Sequence, residues 1–208
     1  MDATQPVACR EAASSESAEI ARLHVLAFPG FFLAALGPRF LARYYQDVID
    51  YPGGICCVAE EAAGRLVGLV AGFVDPPAFY ARLRADRVRL GLLALPALVR
   101  DPAKAARLAA NYRRAGAAAR LRPEEPTAEL ASLGVHPAFA RRGIGERLVR
   151  RFVAEAGRRG AGTVTLTTDA DGNDGVNRFY AKLGFTLARR FDAQPGRPLN
   201  EYSISAAR

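Results

Sequence analysis

A short basic turn holds the residues whose types and spacing best suit anion binding. The turn runs from Arg141 to Gly145, with the sequence RRGIG, and follows a strand-like run that ends at His136-Pro137. After it, apolar residues recur at helical spacing from Ile144 to Val153. The first N–H groups of a helix lack intrahelical partners, the helix dipole adds partial positive charge, and glycine lets an anion approach the main chain. The turn therefore predicts a binding site for a diphosphate.

Two nucleotide-binding motifs use a similar arrangement, and the spacing argues against both. A Walker loop requires Lys followed by Ser or Thr after its second glycine, whereas Gly145 is followed by Glu146 and Arg147. A dinucleotide fingerprint requires a third glycine where this chain has Leu148. The turn therefore belongs to neither motif.

The same residues resemble the acetyl-CoA-binding motif of the GNAT superfamily of N-acetyltransferases, Q/R-x-x-G-x-G/A after a strand that ends in V-x-P. Gly143 and Gly145 match its two glycines, and Ala140 stands where the family has Gln or Arg. That departure implies a weaker side-chain contact with the backbone amides intact. The resemblance implies that acetyl-CoA, as the acyl donor, contacts the turn through Arg141, Arg142, Gly143, Ile144, Gly145 and Glu146.

A second segment, from Asn173 to Phe185, is similar to another GNAT signature, N-x-x-A-x-x-F-Y-x-K-x-G-F, with Val176 in place of the alanine. Two signatures in the right order are far more specific than either alone. By resemblance, Asn173 and Asn177 contact the pantetheine chain of the cofactor or order the loop. Both asparagines could equally serve as turn and cap residues.

Acyl transfer from a thioester to an amine needs a base for the amine, a donor for the carbonyl oxygen and an acid for the departing thiolate. The resemblance implies that Glu129, fourteen residues before Gly143, is the base and acts through a water. The alternative is a surface carboxylate paired with an arginine. Tyr180 matches the usual general acid of the family, and the alternative is a core tyrosine beside Phe179 and Phe185.

The carbonyl donor is expected on the strand that precedes the turn. The family implies that a backbone N–H in the segment Leu133, Gly134, Val135 polarises the carbonyl and holds the pantetheine arm. His136 is a further candidate base, although V-H-P is frequent in this family without a catalytic role.

The elements needed to position these residues follow from periodicity. Val7 to Arg10 predicts a strand, and a helix follows with Ile20, Leu23, Val25 and Phe28 on its apolar face. A second helix covers about 40–48, where Tyr44 and Tyr45 indicate core packing with a wet hydroxyl rather than substrate contact. Residues 54–60 and 65–74 predict a hairpin. This is the order in which GNAT domains begin. The fold implied is therefore mixed α/β, with a central, mostly antiparallel sheet flanked by helices and a single domain over residues 1–208.

A basic insertion of about 76–126 separates the third and fourth strands, and a connection of about fifty residues must carry structure of its own. Two helices are expected, at 78–98 with an interruption near Pro96, and at 102–121. Between Pro76 and Arg122 there are eleven Lys and Arg against two Asp and Glu. Three interpretations stay open: a solvated basic face, a lid that offers arginines to an anionic acceptor, and a surface that docks on an anionic membrane.

Composition narrows the class of protein. The net charge of +8 arises from the insertion, because the rest of the chain is nearly neutral, and no nucleic-acid-binding motif accompanies it. Cys9, Cys56 and Cys57 offer neither a disulfide framework nor a metal spacing. No apolar run reaches the roughly 18 residues of a membrane span, and the N-terminus does not resemble a signal peptide. A cytoplasmic protein is expected, monomeric or homodimeric, without metal and without nucleic acid as partner.

The function implied is acetyl transfer from acetyl-CoA to an amine in a ternary complex. The basic insertion favours a small anionic acceptor such as an amino-sugar nucleotide. Two alternatives stay open: acetylation of a protein N-terminus or lysine, and a non-catalytic acyl-CoA-binding module.

Overall fold

The computed structural model describes residues 7–101, 125–194 and 196–206. Within these ranges, seven strands form one sheet in the order β1-β2-β3-β4-β5-β7-β6, and every neighbouring pair except β4 and β5 is antiparallel. The strands are β1 (Val7–Glu11), β2 (Gly54–Glu61), β3 (Leu66–Val74), β4 (Thr127–Val135), β5 (Thr163–Asp169), β6 (Thr186–Gln194) and β7 (Arg197–Ser205). The helices are α1 (Ser17–Ala27), α2 (Phe32–Ala35), α3 (Pro38–Ile49), α4 (Pro76–Ala85), α5 (Arg87–Arg100), α6 (Ile144–Arg158) and α7 (Asp174–Lys182). The expected mixed α/β fold is confirmed.

Helices cover both faces of the sheet because β2 and β3 at its centre are buried on both sides. One core lies between the sheet and α6, whose buried stripe includes Ile144, Leu148 and Phe152. The other lies under α1, α3, α4 and α5, where α3 contributes Leu41 and Tyr45. Strands buried on both faces need near-continuous apolar runs, and β3 is buried along almost its whole length.

A β-bulge in the middle of β4 changes which face its side chains point to. Ala71 of β3 pairs with Ser132, but its neighbour Gly72 pairs with Leu130, so Ala131 is the extra residue. Before the bulge Leu130 packs in the core under α6, and after it Leu133 packs there instead. Because side chains alternate along a strand, Ser132 is thereby turned to the face of α1 and α3.

The pairing of β4 with β5 is short. These parallel strands pair only at Thr127, Ala128 and Glu129, which lie opposite Thr163, Val164 and Thr165. Beyond Glu129 the edge of β4 has no neighbouring strand in the described part of the chain. The two parallel strands therefore separate after Glu129.

The insertion departs from the sequence prediction in one respect. The first expected helix is two helices that meet at Asp86, and α5 continues through Pro96 instead of breaking there. A proline inside a helix removes one hydrogen bond, and here the apolar contacts of Leu90, Ala94 and Ala97 keep the helix intact. The second expected helix, at 102–121, lies outside the described residues.

Two smaller expectations concern the helices before β2. Val25 was expected on the apolar face of α1 but is 37% exposed, because the buried face is formed by Ile20, Ala21, Leu23 and His24. Tyr44 and Tyr45 are buried, in agreement with core packing. In the part of the chain that the structure describes, no helix has the length and apolar character needed to cross a bilayer.

Gly72 fixes the bulge, and its replacement tests this register. An ideal Cβ at Gly72 would lie 1.9 Å from the Glu129 carbonyl oxygen and 2.7 Å from Phe152 Cζ. We expect Gly72→Ala to lower the free energy of unfolding by about 3 kcal/mol or more. The control is Gly91→Ala within α5, where a Cβ meets nothing within 4 Å. It should raise stability by about 1 kcal/mol in chemical denaturation. A neutral Gly72→Ala would contradict the bulge.

His24 generates a second stability prediction. The side chain is 3% exposed, and burial lowers its pKa to about 4 from the ordinary value of 6.5. Between these values the unfolded chain binds a proton that the folded chain does not, so this contribution to stability is present above pH 6.5 and is lost as the pH falls toward 4. The loss should reach about 3 kcal/mol. Denaturant titrations across this range should show a shallower decline for His24→Gln than for the natural chain, and equal slopes would refute the assignment.

Candidate active site

The N-terminus of α6 presents unpaired backbone donors. The first backbone hydrogen bond of the helix is the one that the Arg147 amide donates to the Gly143 carbonyl, at 3.2 Å. Among the described residues, the amides of Gly143, Ile144, Gly145 and Glu146 donate to no acceptor. Gly143 has φ +73°, a left-handed conformation that glycine adopts without strain, and no atom lies within 4 Å of where its Cβ would be. This concave backbone, with the helix dipole behind it, fits the diphosphate of acetyl-CoA.

The arginines of the turn take different positions. Arg142 lies over the ring of Phe139, with 4.9 Å from its guanidinium carbon to the ring centre, and Arg65 lies 5.2 Å from the same ring. Phe139 is buried, so these contacts hold a positive surface close to the turn. Arg141 is exposed and has φ +63°, which turns the chain sharply just before the helix.

The free edge of β4 offers further donors, and their direction follows from the pairing. The His136 amide donates to the Val67 carbonyl on β3 at 2.8 Å. Backbone groups alternate along a strand, so Gly134 also faces β3, while the N–H and C=O groups of Leu133 and Val135 point to the other edge. No described strand pairs with that edge beyond Glu129. Of the three predicted residues, Leu133 and Val135 therefore offer backbone groups to a ligand, and Gly134 does not.

Glu129 lies where the β4–β5 pairing ends, on the face covered by α3 and α4. Its carboxylate accepts a hydrogen bond from the Tyr80 hydroxyl at 2.7 Å. Burial raises the pKa of Glu129 above its ordinary value, and the bond from Tyr80 opposes that shift. No arginine pairs with Glu129 among the described residues, which argues against the surface ion pair. A carboxyl with a raised pKa and a single neutral donor is suited to exchange a proton.

A buried polar cluster lies on the same face of β4. Tyr45 contacts His24 Nδ1 through its hydroxyl at 2.6 Å, and it also shares a hydrogen bond with Ser132. The other ring nitrogen of His24, Nε2, is buried without a partner among the described residues. The bulge brings Ser132 to this cluster, which links α1 and α3 to the strand that carries Glu129.

Tyr180 on α7 is buried beside Phe179, Phe185 and Tyr202. Burial raises the pKa of its hydroxyl well above the ordinary value. Within the described residues the hydroxyl makes no hydrogen bond, so it is available to a ligand. The surrounding rings exclude water and thereby favour the neutral phenol. The neutral phenol remains able to donate a proton to a thiolate.

The two asparagines use their side chains within the protein. Asn173 Nδ2 donates to Thr168 Oγ1 at 2.5 Å and to the Asp169 carbonyl. Asn177 Nδ2 donates to the carbonyls of Asp169 and Ala170. Its Oδ1 accepts from Asn200 and from the Tyr202 hydroxyl, each at 3.2 Å. This geometry favours the loop-ordering role over direct contact with the cofactor.

The remaining predicted residues form local structure. Glu146 pairs with Arg150 one turn later on α6, so only its backbone amide faces the anion site. His136 Nδ1 accepts from the Ala138 amide at 3.2 Å and caps a short 3-10 turn. A ring nitrogen used in this way is not available as a base.

Tyr80 is the residue that sequence reasoning missed. It lies 49 positions before Glu129, inside the insertion, where no motif marks it. Tyr80 meets Glu129 only through the packing of α4 against β4, which the sequence does not show.

Comparison with known proteins places this site in a family. The sequence model of the Acetyltransferase (GNAT) family matches residues 18–185, most of the chain. No curated protein sequence gives a significant match.

Solved structures share the fold at low identity. NAA60 from Arabidopsis thaliana, in complex with acetyl-CoA, is 14% identical with a TM-score of 0.61, covering 96% of this chain and 98% of that one. The polyamine N-acetyltransferase of Drosophila melanogaster, which forms N-acetylagmatine, is 16% identical with a TM-score of 0.61, covering 96% and 100%. The ribosomal-protein-S18-alanine N-acetyltransferase of Escherichia coli is 11% identical with a TM-score of 0.58, covering 98% and 96%. These structures confirm the fold, and the family match confirms the resemblance: the chain belongs to the GNAT family and is an N-acetyltransferase.

Proposed function

We propose that this protein transfers the acetyl group of acetyl-CoA to the amine of a small anionic acceptor, such as an amino-sugar nucleotide, with Glu129 as general base and Tyr180 as general acid. The observation that carries the proposal is the position of Glu129. Its carboxyl lies at the end of the β4–β5 pairing, beside the free edge of β4, with a raised pKa and a single hydrogen bond from Tyr80.

The donor side of the proposal uses backbone groups. The unpaired amides of Gly143 to Glu146 would hold the diphosphate, with Arg141 and Arg142 adding positive charge. The outward N–H and C=O groups of Leu133 and Val135 would hold the pantetheine arm and polarise the thioester carbonyl. When bound, acetyl-CoA supplies an activated acyl group. The protein positions it and removes and returns protons.

The proton steps fall to two side chains. A protonated amine cannot attack, so Glu129 accepts its proton, through a water. The raised pKa of Glu129 makes it a better base than an exposed carboxylate would be. Tyr180 donates a proton to the departing thiolate as the C–S bond breaks, and it is reprotonated from solvent, to which Glu129 releases the proton taken from the amine. Its raised pKa keeps the phenol protonated before that step.

The charge of the acceptor is inferred from the insertion. In its described part, 76–101, five arginines stand against Asp86 and Asp101, and Asp86 is paired with Arg43. Arg82 and Arg84 lie on α4, the same short helix as Tyr80, which contacts Glu129. Phosphate is bound well by guanidinium groups, while a polycation is repelled. This favours an anionic acceptor over the polyamine that the Drosophila enzyme acetylates.

The assignment of the base is tested by pH. If Glu129 must be ionised, kcat/KM rises with pH through the pKa of Glu129, and this rise forms the acidic limb of the pH profile. Glu129→Gln should lower kcat/KM by about 100-fold and abolish the acidic limb. Tyr80→Phe removes the hydrogen bond that lowers the pKa of Glu129, so the limb should move to higher pH. Tyr180→Phe should lower kcat and leave the acidic limb at the same pH. An unchanged profile for Glu129→Gln would refute the role.

The donor and acceptor are tested with the purified protein in two steps. Calorimetry should show heat of binding when CoA is added to the protein. If CoA binds but no amine in the second step is acetylated, the protein is a non-catalytic module. Thiol release is then compared for an amino-sugar nucleotide, its free amino sugar, spermidine, and peptides with a free N-terminus or lysine. The nucleotide should be preferred by at least about tenfold over the free amino sugar, as a desolvated phosphate–arginine contact would give.

A pair of variants separates acceptor charge from general effects. Arg82→Gln with Arg84→Gln should raise KM for the nucleotide by about tenfold and leave CoA binding unchanged. Arg190→Gln on β6, which loses an exposed ion pair with Asp171, is the control. A preference for spermidine or for a peptide would overturn the anionic acceptor but not the acetyl transfer.

A further inference from the structure

The outer face of α5 is apolar and exposed, and no described residue covers it. Val88, Leu92, Leu95 and Val99 are 70%, 65%, 51% and 72% exposed. Their spacing of four, three and four residues places all four on one side of the helix. The opposite side buries Leu90, Ala94 and Ala97 against the protein. A helix that is apolar on both sides is normally buried on both, so this stripe needs a partner.

Arginines border the stripe. Arg89 and Arg100 are eleven residues apart, about three helical turns, and therefore lie on the same flank. Arg87 lies at the start of the helix on the other flank. None of these three guanidinium groups forms an ion pair with a described residue. The helix thus combines an exposed apolar stripe with unpaired positive charge at its edges, which does not fit the solvated basic face considered from the sequence.

We infer that the outer face of α5 docks on a lipid surface that carries anionic headgroups. Side chains of the stripe would enter the boundary between headgroups and acyl chains, and Arg89 and Arg100 would reach the lipid phosphates at its edge. Lys and Arg beside an interfacial helix contribute about 1 kcal/mol each on an anionic membrane, and buried apolar area adds to this. The apolar and basic parts of this face therefore act together.

A second copy of the chain fits this face less well. If two stripes packed together, the arginines at their edges would be brought near each other without acidic partners on the same face. Among the described residues 86–101, the acidic ones are Asp86 and Asp101 at the two ends of the helix, and Asp86 is paired with Arg43. Charge therefore favours lipid phosphate over self-association.

The test uses the full-length protein and sedimentation with vesicles. Vesicles of phosphatidylcholine containing phosphatidylglycerol should bind the protein. Vesicles of phosphatidylcholine alone should bind it at least about tenfold more weakly. Raising the salt concentration from about 0.1 M to about 0.5 M should release most of the bound protein. Leu92→Gln with Leu95→Gln, and separately Arg89→Gln with Arg100→Gln, should each lower partitioning by about tenfold or more.

Two controls make the result specific to α5. Leu187→Gln removes a leucine of similar exposure, 55%, from β6 and should bind vesicles like the natural chain. Leu92→Gln with Leu95→Gln should keep the acetyl transfer of the natural chain without lipid, and Arg89→Gln with Arg100→Gln should keep its midpoint of thermal unfolding, which shows that both variants fold. The inference fails if anionic vesicles do not bind the protein at low salt, if Leu187→Gln weakens binding equally, or if light scattering shows a dimer that Leu92→Gln with Leu95→Gln dissociates.

Discussion

The separation of two parallel strands is the constraint on which the rest of this structure depends. β4 and β5 pair over three residues and then separate, so that one edge of β4 has no partner strand among the described residues of a covered sheet. Unpaired backbone groups in the interior are costly, and more than nine in ten are satisfied in native proteins. A ligand with amide groups of its own, such as a pantetheine chain, removes that cost. The backbone groups that β4 leaves unpaired among the described residues are those that we propose for the pantetheine arm.

The bulge at Ala131 sets what happens on the other side of the same strand. One inserted residue reverses the alternation, so Leu130 and Leu133 share the core under α6 although they are three apart. One strand thus carries both parts of the proposed site. The backbone groups proposed to contact the donor lie at the free edge of β4, whereas the side chain of Glu129 lies on the face covered by α3 and α4. Gly72 makes this possible because its missing side chain lets β3 approach the Glu129 carbonyl.

Much of this arrangement could be predicted from the sequence, and the limits have physical causes. The glycine turn and the Asn173–Phe185 segment are local, so their residues were identified without knowing the fold. The break expected at Pro96 did not occur because tertiary packing outweighed the cost of a missing hydrogen bond. The bond between Tyr80 and Glu129 and the buried contact of His24 with Tyr45 join residues far apart in the chain. No periodicity encodes such pairs, and only the packing of helices on the sheet shows them.

The hydrogen bond from Tyr80 joins the inserted helix α4 to the carboxyl that we propose as the general base. Coupling between two sites is reciprocal: whatever separates α4 from β4 favours the protonated carboxyl, and protonation of that carboxyl loosens the hold on α4 by the same free energy. The inserted helix would in this way adjust the basicity of the carboxyl proposed as the base. Exchanging the insertion would retune the enzyme's working pH while leaving its donor site untouched.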